Sequence, residues 1–350
     1  MDKPQILMIG NYLTSPRHNR NVWQALAERL PSMGWDVYTT STKESQILRL
    51  LDMFTTVVTK RKHYDLAQID VFSGKAFFFA ECCAKLLNIF KKPIVLTLHG
   101  GGLPSFADRY PQRVSKLLSS ASEVVTPSPF LQQSLSKYHS QIKVIPNGIE
   151  ISAIPYKARK SFFPDLIWVR AFHQTYNPEL AVRVLSNLVA DYPNSRLTMV
   201  GPDKGDGSLQ AVNSLAKKLG VQSNLIILPA VPYEEVPSLL EKADIFINTT
   251  NYDTAPRSLL EAMANGLCVV STNVGGIPWM VTNSFDGLLV PADNGLAMVN
   301  AIKSLLEDPE FAIRISQNAR RTAERHDWSY VISEWDNLFI DVLAGNHGKN

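Results

Sequence analysis

Short β-branched and apolar runs alternate with helical periodicity along the whole chain. In the first half, residues 6–9, 37–40, 66–69, 94–98, 124–126 and 143–145 read as strands. Helical patterns fall between them, among them residues 22–33, 75–90 and 130–138. The strands are continuously apolar rather than alternating, the pattern of a parallel sheet buried on both faces. The stretch VIPNGIEISAIPYKARKSFFPD then breaks the rhythm with prolines and basic residues and reads as a linker. Beyond it the pattern restarts, with strands at 166–169, 197–200, 225–228, 245–248, 268–271 and 287–290, and a last helix at 328–343.

This organisation predicts an α/β protein of two doubly wound, Rossmann-like domains: residues 1–155, residues 156–326, and a C-terminal helix, 327–350, packing back on the first domain. Ligands in such sheets sit beyond the carboxyl ends of the strands, where the strand order reverses. With two sheets, the cleft between them is the expected site.

Composition narrows the classes. The chain has 350 residues, 45% hydrophobic and 19% charged, as a globular protein does. No apolar run approaches the roughly 20 residues that span a bilayer, and the opening MDKPQILMIG runs into a strand without a signal-peptide pattern. Cys82, Cys83 and Cys268 have neither metal-ligand nor disulfide-framework spacing, which fits a reducing cytoplasm. A net charge of +3 gives no footprint for nucleic acid. The clusters Lys60, Arg61, Lys62, His63 and Lys91, Lys92 read first as solvated residues. The sharper reading is a weak peripheral contact with the inner face of a membrane.

Several chemistries fail on spacing. LTLHGGGLP matches the oxyanion-hole loop of lipases, but no Gly-x-Ser-x-Gly nucleophile elbow occurs anywhere. Neither half opens with a dinucleotide fingerprint, and there is no phosphate-binding P-loop. GPDKGDG is glycine-rich but reads equally well as a turn. Asp-x-Asp, which holds a divalent metal in some transferases, is also absent.

The densest chemistry lies in FINTTNYDTAPRSLLEAMANGLCVVSTNVGGIPWMV. A helix is expected from Arg257 or Ser258, just after Pro256. Its first-turn N–H groups are unpaired and form an anion site. Asp253 precedes the helix and Glu261 lies inside it, so that carboxylates flank the amides. The plain alternative is a capping Asp and a solvent-facing Glu.

This segment resembles the Glu-x7-Glu motif of the retaining glycosyltransferases of family 4, which have the GT-B fold. VIPNGIE resembles the hinge motif of that family, VTPSPFLQQSL its preceding strand and helix, and ERHDWSYV the start of its crossover helix. The resemblance implies that Glu261 holds the donor ribose and Asp253 the hydroxyls of the transferred sugar. It implies that the amides of Arg257, Ser258 and Leu259 hold the diphosphate, and that His99 faces the donor sugar. Backbone groups near Ala230–Pro232, Val231 among them, are expected to read the base. Asn11, Arg17, Asn19 and Arg20, with Gly100 and Gly101, are expected to form an acceptor or phosphate loop.

The chain departs from the family pattern at three places. The first acid is Asp253 rather than Glu, and Pro256 has no N–H to offer. Arg170 is kept, but Thr175, Tyr176 and Asn177 stand where Lys-Gly is expected; Lys204 or His173 is the expected substitute cation. The activity implied is retaining transfer of a hexosyl-type sugar from a UDP- or GDP-sugar to an acceptor hydroxyl, by front-face attack and without metal or other cofactor. The expected partners are that nucleotide sugar and an unidentified acceptor. The rivals are a nucleotide-sugar epimerase and a nucleotide-sugar-binding protein that performs no transfer.

Overall fold

A computed structural model describes residues 4–12, 22–229 and 231–347. Its contacts divide the chain into two units, Met1–Gly148 with Ser329–Asn350, and Ile149–Trp328. The border lies ahead of residue 155 because Ile149 already pairs with Asp327, its N–H donating to the His326 carbonyl at 2.9 Å.

The first unit holds strands β1 (Gln5–Ile9), β2 (Asp36–Thr40), β3 (Leu66–Val71), β4 (Ile94–Leu98), β5 (Glu123–Thr126) and β6 (Ile142–Val144). All pair in parallel, in the order β2-β1-β3-β4-β5-β6. Every residue of β3 and β4 is buried, so this part of the sheet is covered on both faces. The order reverses between β1 and β3. The final helix, Trp328–His347, reaches this unit through Trp35, whose Nε1 donates to Asp336 at 2.7 Å and whose ring meets Phe339 edge-on.

The second unit holds β7 (Asp165–Val169), β8 (Arg196–Val200), β9 (Leu225–Leu228), β10 (Ile245–Asn248), β11 (Cys268–Thr272) and β12 (Leu288–Val290). Its sheet is also parallel throughout, in the order β12-β11-β10-β7-β8-β9. The reversal here lies between β7 and β10, so the ligand crevice is expected beyond their carboxyl ends.

Helix bounds differ from the sequence pattern where proline intervenes. The predicted helix at 22–33 is α-helical only over Val22–Arg29 and tightens to a 3₁₀ turn at Leu30–Met33, where Pro31 has no N–H to continue the ladder. In the linker, Arg159 is buried and ties the chain to the second unit. Its Nε donates to Asp244 at 2.9 Å, its Nη1 to the Asn265 carbonyl at 3.0 Å and its Nη2 to the Ala243 carbonyl at 2.6 Å. The other Asp244 oxygen accepts from the Phe163 N–H at 3.0 Å.

Removing one partner of such a buried pair strands the other charge. Arg159→Ala should cost about 3–5 kcal/mol, read as a lowered urea midpoint. Lys143→Ala, which breaks the exposed pair with Glu123, should cost no more than about 1 kcal/mol. Equal losses would contradict the anchoring role given to Arg159.

Candidate functional site

In the second unit the chemistry gathers beyond β7 and β10. Arg170 directly follows β7, and its Nε faces Asn248 Oδ1, at the end of β10, at 3.5 Å. Its Nη2 lies 2.9 Å from Asp253 Oδ2 in a contact of charge rather than an aligned hydrogen bond, since that nitrogen is buried without a hydrogen-bond partner. The Tyr176 ring packs against the guanidinium, its centroid 5.4 Å away. Burial raises the Tyr176 phenol above its usual range, so it serves Arg170 as a neutral ring.

The loop carrying Asp253 is held from two sides. Thr249 Oγ1 donates to the Tyr176 carbonyl at 2.9 Å, and the Asn251 N–H donates to the Thr175 carbonyl at 2.8 Å. From the other side, the Gly276 N–H donates to the Asp253 carbonyl at 2.8 Å. Gly275 takes φ +55, and a Cβ there would lie 2.0 Å from that same carbonyl oxygen, so only glycine allows the approach. Thr175, Tyr176 and Asn177 therefore bring no cation; they position the acid loop and brace Arg170. Asn177 adopts φ 45, a left-handed conformation that Asn tolerates better than most residues.

The helix Arg257–Asn265 starts as expected, with Pro256 in the capping position. Every residue from Leu259 to Asn265 is buried, Glu261 included, and the helix ends at Gly266 in the left-handed conformation. Glu261 does not face solvent. Its Oε1 accepts from Tyr233 OH at 2.7 Å and from Arg257 Nε at 2.9 Å. The Arg257 guanidinium also lies over the Tyr233 ring, 4.5 Å from its centroid. Ser258 Oγ is sealed from solvent with no partner. Leu259 is fully buried.

His173 and Lys204 are placed differently from each other. His173 Nδ1 accepts from the Thr175 N–H at 3.2 Å, while Nε2 lies 3.7 Å from Asp206, so the ring serves a local turn. The Gln174 N–H, foremost, holds the Asp206 carboxyl down at about 2. Lys204 is exposed, and its backbone N–H donates to the Phe172 carbonyl at 3.2 Å. Val231 is half-buried beside Ile149, Ile167 and their neighbours in the core. Ala230 lies outside the described residues.

In the first unit, His99 follows β4 and its N–H donates to the Val71 carbonyl at 2.9 Å. Its ring stacks on Phe72 with centroids 5.1 Å apart, and Trp23 lies at 5.3 Å. His99 Nε2 is 3.1 Å from Asp70 Oδ1, which also accepts from Gln68 Nε2 at 2.8 Å. Gln68 in turn donates to Thr97 Oγ1 at 2.8 Å. Asn11 Oδ1, Tyr12 OH, Gln68 Oε1 and Asp70 Oδ2 are buried without partners. Burial first, then the Asp70 charge, raises the Tyr12 phenol well above its usual range. Gly10 sits so near that a Cβ would lie 2.3 Å from Asp70 Oδ2. Gly100 takes φ +84 beside Phe72, and Gly101 is half-buried in the following turn. Arg17, Asn19 and Arg20 lie outside the described residues.

Sequence reasoning passed over Asp70, Gln68 and Tyr233. A signal existed for the first two: LAQIDV carries polar residues two apart within an otherwise apolar, wholly buried strand. Tyr233 had none, because it comes from a separate 3₁₀ turn, Tyr233–Glu235. Among the described residues, no three His, Cys, Asp or Glu side chains gather as a metal site. No helix there is long and apolar enough to cross a membrane.

The family model described as glycosyl transferases group 1 matches residues 157–322, and the one described as glycosyltransferase family 4 matches residues 37–153. A D-inositol 3-phosphate glycosyltransferase of Corynebacterium aurimucosum is 26% identical over 170 residues, 48% of this chain and 40% of the relative. The matched region thus spans well under half the length of that curated relative. A glycogen synthase of Mycobacterium tuberculosis is 24% identical over 79% of this chain and 70% of its own. Among solved structures, sucrose-phosphate synthase of Thermosynechococcus elongatus superposes with TM-score 0.82 at 18% identity, covering 98% of this chain and 100% of its own. Anabaena HepE, solved with UDP and glucose, gives 0.78 at 18% identity, covering 97% and 100%. Two models that between them span most of the chain, over two parallel six-stranded sheets, place this protein in glycosyltransferase family 4 with the GT-B fold.

Proposed function

We propose that the protein transfers a hexosyl-type sugar from a nucleotide-diphosphate sugar to an acceptor hydroxyl, with retention and without a metal, in the building of a glycan, polysaccharide or glycolipid. The observation that carries this reading is the Arg170–Asp253 contact, set before a buried helix whose Glu261 is already held by Tyr233 and Arg257. HepE, solved with UDP-glucose, favours UDP over GDP as the carrier.

The chemistry follows from charge. As the sugar leaves, negative charge grows on the diphosphate, and fixed donors lower the barrier more than mobile water can. The first-turn amides of Arg257, Ser258 and Leu259 and the unpartnered Ser258 hydroxyl supply neutral donors. Arg170 supplies the cation, and Tyr176 restricts its swing. Asp253 then has two tasks: it balances Arg170 before the donor arrives, and it accepts from sugar hydroxyls afterwards. Glu261 uses Oε1 for Tyr233 and Arg257, which leaves Oε2 for a ribose hydroxyl. In front-face attack the acceptor hydroxyl approaches from the side the diphosphate leaves, and the leaving phosphate oxygen takes its proton.

Arg170→Ala should lower kcat/KM for the donor by roughly 10²–10³-fold, the usual loss for one electrostatic donor. Glu261→Ala should raise the KM for the donor about 10–100-fold with a smaller change in kcat, as loss of a charged hydrogen bond to the ground state predicts. Both are measured by UDP release, beside thermal unfolding that shows the variants folded; wild-type kinetics in either would refute its assigned role. Turnover in EDTA should match turnover with added Mg²⁺ or Mn²⁺. Loss in chelator that either metal restores would end the metal-free account.

A further inference from the structure

The acid inside the helix Arg257–Asn265 is held by a residue from outside that helix. Glu261 is 4% exposed, and two donors converge on its Oε1: Tyr233 OH at 2.7 Å and Arg257 Nε at 2.9 Å. Oε2 accepts from nothing among the described residues. The two donors are not equivalent. Arg257 stands four residues before Glu261 on the same helix, at the end of a long flexible stem, and can follow the carboxylate if it turns. Tyr233 has a stiff side chain with only two torsions, and it comes from a separate segment.

That segment fixes where the hydroxyl sits. Pro232 caps the 3₁₀ turn Tyr233–Glu235, and the Glu235 N–H closes it on the Pro232 carbonyl at 3.0 Å. The turn runs directly into the helix Val236–Glu241. Val236 and Leu240 of that helix are buried in one core with Leu259, Leu260 and Met263 of the acid-bearing helix. Packing of the two helices therefore sets the distance between Tyr233 and Glu261. The Arg257 guanidinium lies against the Tyr233 ring, 4.5 Å from its centroid. One side chain thus holds the acid through its hydroxyl and the cation through its face.

What the fixed donor controls is a rotation. The terminal torsion of a glutamate is broad and nearly two-fold, so a carboxylate gripped only by a flexible partner swings and exchanges its oxygens. Two donors on one oxygen, reaching it from different segments, stop that swing: Oε1 is saturated and Oε2 alone is offered. A loose carboxylate meets any nearby donor, Arg257 included, whereas a pinned one meets a hydroxyl at one place. A site built around one such acceptor rejects an analogue lacking the matching hydroxyl, because the oxygen is then left unmet.

We infer that Tyr233 is a positioning residue that sets the preference for ribose over deoxyribose in the donor nucleotide, by holding Oε1 so that Glu261 offers Oε2 to a single hydroxyl. Tyr233 acts through Glu261 and needs no contact of its own with the nucleotide. The inference rests on the sugar-transfer reading above, in which Glu261 meets the donor ribose.

The test is calorimetric binding of UDP, 2′-deoxy-UDP and 3′-deoxy-UDP, with GDP and its deoxy analogues in their place if UDP does not bind. Wild-type protein should bind the ribonucleotide about 10–100-fold more tightly than one of its two analogues, the worth of one hydrogen bond to a charged group. Glu261→Ala should abolish that preference. Tyr233→Phe keeps the ring under Arg257 and removes only the hydroxyl. It should weaken the ribonucleotide roughly tenfold and leave the rejected analogue within about twofold, so that most of the preference is lost. Thermal unfolding without ligand should show this variant folded as wild type is. Equal weakening of all three nucleotides by Tyr233→Phe would make the tyrosine a structural residue only and overturn the inference. An unchanged preference in that variant overturns it too, as does a preference that survives Glu261→Ala or a wild-type protein indifferent to the missing hydroxyls. In each of these cases nucleotide binding stands and only the role of Tyr233 falls, whereas a protein that binds neither UDP nor GDP takes down the sugar-transfer reading itself.

Discussion

A helix without a solvent-facing side can meet a ligand only at its ends. The helix Arg257–Asn265 is buried from Leu259 onward, and its C-terminus closes on Gly266, whose N–H donates back to Met263. Its one open face is the first turn, where the amides lack intrahelical partners. Burial also decides what Glu261 can be. A carboxylate inside a core is tolerated only when hydrogen bonds or charges answer it, and Tyr233 and Arg257 both do so through one oxygen. The rest of the second unit's chemistry, the acid loop braced by Thr175, Tyr176 and Gly275 and the Arg170 that follows β7, is arranged around that first turn.

Strand order explains why these residues, far apart in sequence, converge. A parallel sheet that winds outward in both directions from its middle leaves a crevice where the winding changes direction. In the second unit that place is beyond β7 and β10, so a residue one step past β7 and a loop past β10 meet across it. In the first unit it is beyond β1 and β3, where Gly10, Asn11 and Asp70 lie. Neither convergence needs a local motif.

That distinction sets what could be read from sequence. The strands were legible because buried parallel strands are continuous apolar runs, and each lies within a residue or two of its expected place. The acid-helix-Glu segment was legible because its parts are local in sequence. What escaped was non-local. Asp70 is read as functional only when His99, 29 positions on, is known to stand 3.1 Å away. The missing Lys-Gly looked like a lost cation, whereas Thr175 and Tyr176 work mainly through backbone carbonyls, which no side-chain pattern reports. The helix at residues 22–33 was overextended because its apolar period outruns the break that Pro31 imposes.

The two units differ in how their polar groups are satisfied. In the second, charges come already matched, Arg170 with Asp253 and Arg257 with Glu261, so an incoming anion must compete with a carboxylate for the guanidinium. In the proposed transfer such competition would weaken ground-state binding and be relieved as charge develops on the leaving group, so the interaction would act more on the transition state than on the bound donor. In the first unit the mismatch is the reverse. Several buried acceptors stand unanswered, each costing about 1–3 kcal/mol while unmet. One unit thus holds its charges in matched pairs, and the other holds buried acceptors that no group among the described residues answers.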